Sequence, residues 1–277
     1  KKVITITPSS SLENSQVYYL AIGAVKDASG NQSTPSNITF TTIAAATPTV
    51  TLTNPVGGET VYAGDPYTFT WTSANVTNVI LEGWVPNSDV PRVYSWQPIS
   101  GTIPAATGSY DFTIPADANY GTQYKIRISD ASNPAVNSVS GDFTLIATPT
   151  SITNLKTRCI VGDVVKMKFE VFISYKATAT NIYIQDAGAG LLVYDTGSKM
   201  TGYNVNDGIT GLTGTIATFN NILELVPIDN AGAATSTGNT ITPVTLTAAS
   251  LNTDYETYES MLVKIIDVTF AAGGGTF

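Results

Sequence analysis

Short runs in which polar and apolar residues alternate recur through the first half of the chain. They are "VYYLAIG" at 17–23, "NITFTT" at 37–42, "TVTLTNP" at 49–55, "YTFTWTS" at 67–73, "NVILEGWV" at 78–85, "GSYDFTIP" at 108–115, "QYKIRISD" at 123–130 and "GDFTLIA" at 141–147. A period of two puts alternate side chains on opposite faces of a half-buried strand. Strands of this length, separated by polar turns at short intervals, predict sandwiches of antiparallel sheets. The opening "KKVITITPSS" also reads directly as a strand, without the long apolar core of a signal peptide.

Two Thr/Pro/Ala-rich breaks, "TTIAAATPTV" at 41–50 and "IATPTS" at 146–151, follow strand-like runs and mark boundaries. The expected organisation is three all-β segments: 1–43, 48–147 and 152–277. A chain of 277 residues is long enough for several separate cores.

Charge narrows the partners. Only 12% of the residues are charged, the formal net charge is −8, and Lys and Arg nowhere cluster. Such a field repels polyphosphate backbones, so nucleic acid is not an expected partner. From residue 152 onward seven Lys and Arg face eleven Asp and Glu, a net −4, the wrong sign for nonspecific single-strand binding. No apolar run approaches the ~20 residues of a spanning helix, so no membrane-spanning segment is expected.

The side-chain inventory narrows the chemistry. Without histidine, the usual zinc, haem and copper sets and the ordinary Ser or Cys triads cannot be assembled. One cysteine, Cys159 in "KTRCIVGD", excludes an internal disulfide framework and reads as a thiol buried on a strand. "SDASNP" at 129–134 and "PADANYG" at 115–121 suggest calcium, yet Asx turns account for both. Asp254, Glu256 and Glu259 form the densest acidic group and read as a solvated loop rather than a glycosidase pair. The expectation is no catalytic, metal or cofactor site.

Three local features carry more information. "NIYIQDAGAGLLVYD" at 181–195 contains G-x-G, but lacks the third glycine of a dinucleotide fingerprint and runs into a β-branched, aromatic strand. Asp186–Gly190 is therefore expected to be a hairpin turn. Gly57-Gly58 supplies a positive-φ turn, and Trp71, on an alternating strand, is expected to anchor the core between two sheets. Trp84, Tyr94 and Trp96, in a less regular stretch, are the candidate carbohydrate contacts; the plainer reading is that they cover a sandwich edge, since no polar set clearly converges with them.

Tyr18, the turn "VKDASGN" at Val25–Asn31 and the strand "ITFTT" at Ile38–Thr42 resemble the C-terminal part of bacterial Ig-like domains of surface-layer proteins and adhesins. That resemblance implies a partial sandwich whose upstream strands lie elsewhere. "LTNPVGGETVYAGDPYTFTWTS", "TGSYDFTIPA" and "YKIRISDASNPAVNSVSGDFTLI", in that order, resemble the Kre9/KNH-type Ig-like domain. "YIQD", "LLVY", "ITG", "ELVP" and "YESMLVKIIDVTF" resemble an OB-fold-like domain of secreted and surface proteins, and leave open whether its barrel closes within the chain.

Together these features lead to the expectation of a non-catalytic stalk, adhesin or filament segment of a large exported bacterial cell-surface protein. Its partners would be the remainder of the same polypeptide, neighbouring subunits or surface polysaccharide. Two other readings remain: accessory modules of a secreted hydrolase or nuclease, and a carbohydrate-binding module.

Overall fold

Strands are the main regular element in a computed structural model that describes residues 5–86 and 93–269. Two compact units are present: residues 1–49 with 74–76, and residues 50–73 with 77–277.

In the first unit, β1 (Val17–Ile22) and β2 (Ser36–Thr41) pair antiparallel from Val17↔Thr41 to Ile22↔Ser36. Tyr18 and Phe40 sit opposite one another, their rings stacked at 5.8 Å. The turn between the strands is organised by Asp27. Its carboxylate accepts the Ser29 and Asn31 N–H groups and the Asn31 side-chain amide. These bonds, the Asn31 side chain first, hold its pKa below the ordinary value. Of the strand expected at the start, residues 1–4, with Val3 and Ile4, lie outside the described residues, and Thr5–Pro8 carry no strand. Val17 and Tyr19 remain 66% and 65% exposed.

Among the described residues, ten strands build the sandwich: β3 (Thr49–Asn54), β4 (Thr60–Tyr62), β5 (Pro66–Ala74), β6 (Asn78–Pro86), β7 (Tyr94–Pro98), β8 (Ile103–Pro104), β9 (Ser109–Thr113), β10 (Gly121–Asp130), β11 (Asn137–Val139) and β12 (Phe143–Ile146). One sheet has the order β3-β5-β9. The other runs β4-β12-β10-β6-β7, with β11 on β10 and β8 on β6. Alternation dictates what goes inside: Val50 and Leu52 of β3, Phe69 and Trp71 of β5, Val79 and Leu81 of β6, and Ile126 and Ile128 of β10 are buried. Trp71 is 4% exposed, and its indole N–H donates to the Ala105 carbonyl at 2.9 Å. Gly57, at φ +117°, lies so close to the neighbouring loop that a Cβ there would stand 2.7 Å from Gly141 Cα. Only a residue without a side chain fits both constraints.

β4 and β12 are paired in parallel, Thr60↔Thr144 through Tyr62↔Ile146, so a strand near the start of the sandwich lies beside its last one.

Beyond residue 150, the chain forms α1 (Ile152–Arg158), β13 (Val164–Lys166), β14 (Val171–Lys176), β15 (Asn181–Gln185), β16 (Gly190–Tyr194), β17 (Gly208–Ile209), β18 (Thr213–Phe219) and β19 (Ile222–Pro227). The sheet order is β13-β18-β19-β16-β15-β14-β17. β13 runs on into β14, and β17 into β18. Between these halves the Met167 N–H donates to the Leu212 carbonyl, and the Gly211 N–H to the Met167 carbonyl. The two ends of the path are therefore the same two strands, and the sheet closes into a five-stranded ring. Its order is β13/β14, β15, β16, β19, β17/β18, with β16 and β19 parallel and the other pairs antiparallel. Closure is complete within residues 164–227. Val165, Met167, Ile173, Ile182, Ile184, Leu191, Val193, Ile216 and Leu225 fill the interior.

The hairpin expected at Asp186–Gly190 is present: Asp186 accepts the Gly188 and Ala189 N–H groups between β15 and β16. Cys159 differs from expectation. Ser151 caps Asn154, residues 152–158 wind into α1 with Ile152 and Leu155 buried, and Cys159 is the helix C-cap, packed against the barrel core rather than carried on a strand. The 146–151 break is held on both sides. Ala147 bridges Val165, the Thr148 hydroxyl donates to the Ala63 carbonyl, and Lys168 pairs with Asp65 at 2.5 Å. After the barrel, β20 (Val244–Thr247) and β21 (Val263–Ile266) pair in parallel around α2 (Ala248–Thr253).

Candidate functional site

β6 turns Val79, Leu81 and Gly83 inward, which leaves Glu82 and Trp84 on the outer face of the sheet. β7 pairs with it so that Trp96 stands directly opposite Trp84, and Tyr94 opposite Pro86. The three candidate carbohydrate contacts are thus brought together. Trp84 and Trp96 lie 5.5 Å apart with planes tilted by 59°, and Trp84 and Tyr94 lie 6.5 Å apart and nearly parallel at 18°. Tyr94 also meets the edge of Tyr124 at 5.9 Å.

β10, on the other side of β6, supplies a polar neighbour. Arg127 stands opposite Glu82, and its Nε and one terminal nitrogen reach the same Glu82 oxygen at 2.8 and 2.7 Å. The guanidinium also lies 4.4 Å from the centre of the Trp96 ring. Arg127 therefore ties three strands together by charge and by cation–π attraction. Lys125, opposite Trp84, pairs with Asp142 at 3.3 Å.

This arrangement stabilises the sheet. Cross-strand aromatic pairs contribute about 0.2–1 kcal/mol each relative to alanine, and Arg127 rests against Trp96. The tilt between Trp84 and Trp96 gives two facets rather than one flat platform. All three rings are half-buried, so part of each remains exposed.

The remaining candidates separate. Asp130 accepts both the N–H and the hydroxyl of Ser132, an Asx turn whose bonds, the Ser132 N–H first, lower its pKa. In the acidic group, Asp254 caps α2, Glu256 accepts from the Tyr255 hydroxyl, and Glu259 pairs with Lys156 of α1 at 3.5 Å. Among the described residues, no cluster of three or more His, Cys, Asp or Glu side chains is placed to hold a metal ion.

On the barrel, Gln185 accepts the Leu262 N–H at 2.8 Å, and a Cβ on Gly190 would collide with the Ser260 carbonyl. The turn at 258–262 thus lies against the β15–β16 hairpin. Glu224 of β19 is 7% exposed, and burial raises its pKa. The sequence reading missed this residue; its signal was a lone charge inside the apolar run "ILELVP".

Residues 54–145 match the model of the Kre9/KNH-like N-terminal Ig-like domain, and residues 1–42 match that of a bacterial Ig-like domain. The sandwich is therefore Ig-like, and the chain is an all-β protein with Ig-like domains. No curated protein matches the chain.

Proposed function

We propose that this chain is a non-catalytic structural segment of an exported bacterial cell-surface protein, a stalk or adhesin spacer that carries tension along its length. The parallel β4–β12 ladder carries this reading. Tension applied through the two ends of the sandwich would draw these strands past one another, so their hydrogen bonds would have to break together rather than in sequence. The tied junction around Ala63, Asp65, Thr148 and Lys168 passes the load on to the barrel. Domains of both matched kinds are commonly extracellular, which supports export. The order of the barrel strands, with its single parallel pair, supports an OB-like reading of residues 152–277. In this reading the exposed face of the β1–β2 hairpin is covered by the remainder of the polypeptide or by a neighbouring subunit.

A second reading, carbohydrate contact through Trp84, Tyr94 and Trp96, draws support from the Arg127–Glu82 pair beside them. The intact source cells supply the test of export. Mild proteolysis of their surface is expected to release peptides from residues 5–269, and peptides released only after lysis would contradict the proposal. Tryptophan fluorescence titrated with cell-wall polysaccharides is expected to stay unchanged; a saturable shift lost in Trp84→Ala would favour the second reading instead.

A further inference from the structure

The two sheets of the sandwich are not packed equally along their length. Near Ala105 they are joined by the buried Trp71 and its hydrogen bond, and Val79, Leu81 and Ile128 are fully buried in the core. Toward the other end a cavity of about 640 Å³ lies between them. Phe69 and Phe112 line it from one sheet, and Tyr124, Ile126, Phe143 and Leu145 from the other. The ring contacts there stay within a sheet: Phe69 meets Phe112 at 5.8 Å, and Tyr124 meets Phe143 at 5.8 Å.

Native cores leave few voids larger than a water molecule, and an apolar void of ~150 Å³ already stays dry and admits benzene. A volume of about 640 Å³ falls among small-molecule sites, which span roughly 300–1,000 Å³ with apolar walls and a few polar groups. The polar side chains follow that pattern. Gln97 and Asp117 are exposed and Asn119 half-exposed at the margin, while the aromatic and aliphatic walls lie within. Among the described residues, none that lines the cleft is Lys or Arg, and Arg158 is engaged with the Asp117 carbonyl. A carboxylate head would meet the like charge of Asp117 at the margin.

We infer that this cleft binds an elongated neutral amphiphile, an aliphatic alcohol or ester in class, with its chain between the sheets and its polar end at Gln97 and Asn119. The cleft lies on the other face of the sheet from Trp84 and Trp96, as Val85 and Ile99 in its lining show, and adjoins the outer cluster where its wall residue Tyr124 meets Tyr94.

The neutral fluorophore N-phenyl-1-naphthylamine, titrated into the 277-residue chain, tests this. Saturable enhancement is expected, displaced by dodecan-1-ol and at least about tenfold less well by dodecanoate, a difference of about 1.4 kcal/mol. Val85→Phe on β6 and Ile99→Phe just after β7, which fill the cleft from two positions, should each weaken the probe at least about tenfold. Tyr175→Ala, on the barrel, should leave it unchanged. Absence of saturable enhancement, undiminished binding in a filled variant that unfolds cooperatively, or equal displacement by dodecanoate would overturn the inference.

Discussion

Replacing Trp71 by alanine removes the side chain that joins the two sheets at their closely packed end. The indole is 4% exposed and its N–H is bonded to the Ala105 carbonyl, so the change creates a cavity and deletes a buried donor at once. Truncation of a buried aromatic costs about 3–5 kcal/mol. Trp71→Phe separates the two effects, since it keeps most of the volume and loses only the N–H. Ala105 then retains weaker partners in the Gly108 N–H and the Ser73 hydroxyl, each at 3.4 Å, so the cost should fall to about 1 kcal/mol. Amide exchange of residues 60–146, followed against urea, reads the sandwich separately from the rest of the chain. With a slope of about 1–3 kcal/mol per molar, the alanine variant should lose at least about 1 M in midpoint, and the phenylalanine variant well under half of that loss. A loss below about 1 kcal/mol for Trp71→Ala would refute the assignment of Trp71 as the anchor of this core.

Gly57→Ala is expected to destabilise the sandwich by about 1–3 kcal/mol, because the new methyl meets Gly141 Cα at a φ of +117°; an unchanged urea midpoint would count against the close approach. Glu224 has its folded pKa raised by burial, so its contribution to stability is fully present below the unfolded value near 4.5 and is lost as pH rises through the folded value. Glu224→Gln should therefore stabilise the barrel at pH 7 and lose that advantage toward pH 4, as thermal melts at the two pH values would show. In a proven monomer, amide exchange across β1 and β2 should be fast beside that of β15 and β16, since Val17 and Tyr19 are largely exposed; slow exchange in both hairpins would show the first to be stable unaided.

The eight alternating runs all prove to be strands because alternation is a local property: six of them bury one face in the sandwich, and the other two, β1 and β2, pair as a hairpin with neither face buried. The turn at Asp186–Gly190 and the buried Trp71 were legible for the same reason. The helix at 152–158 was missed although its signals are present: Ser151 at the cap, and Ile152 and Leu155 three apart on the buried face. The Thr and Asn between them hid that spacing. Trp84, Tyr94 and Trp96 could be grouped by closeness in sequence, but Arg127, which rests on Trp96, comes from a strand some thirty residues later, and such pairing leaves no local mark. Closure of the barrel depends in the same way on Met167 finding Leu212. Alternation also says which side chains point inward without giving the distance between the sheets, so the cleft lined by Phe69, Phe112 and Phe143 could not be read from the chain.

The claim that the sandwich carries tension is tested most directly by pulling the 277-residue chain from its two ends in a single-molecule force instrument. The ladder between β4 and β12 should give the sandwich one discrete, high-force rupture. Thr144→Pro removes the N–H that donates to the Glu59 carbonyl at 2.9 Å and should lower that force sharply. Gradual extension of residues 54–145 without a discrete rupture, or a rupture force unchanged by Thr144→Pro in a folded variant, would contradict the account.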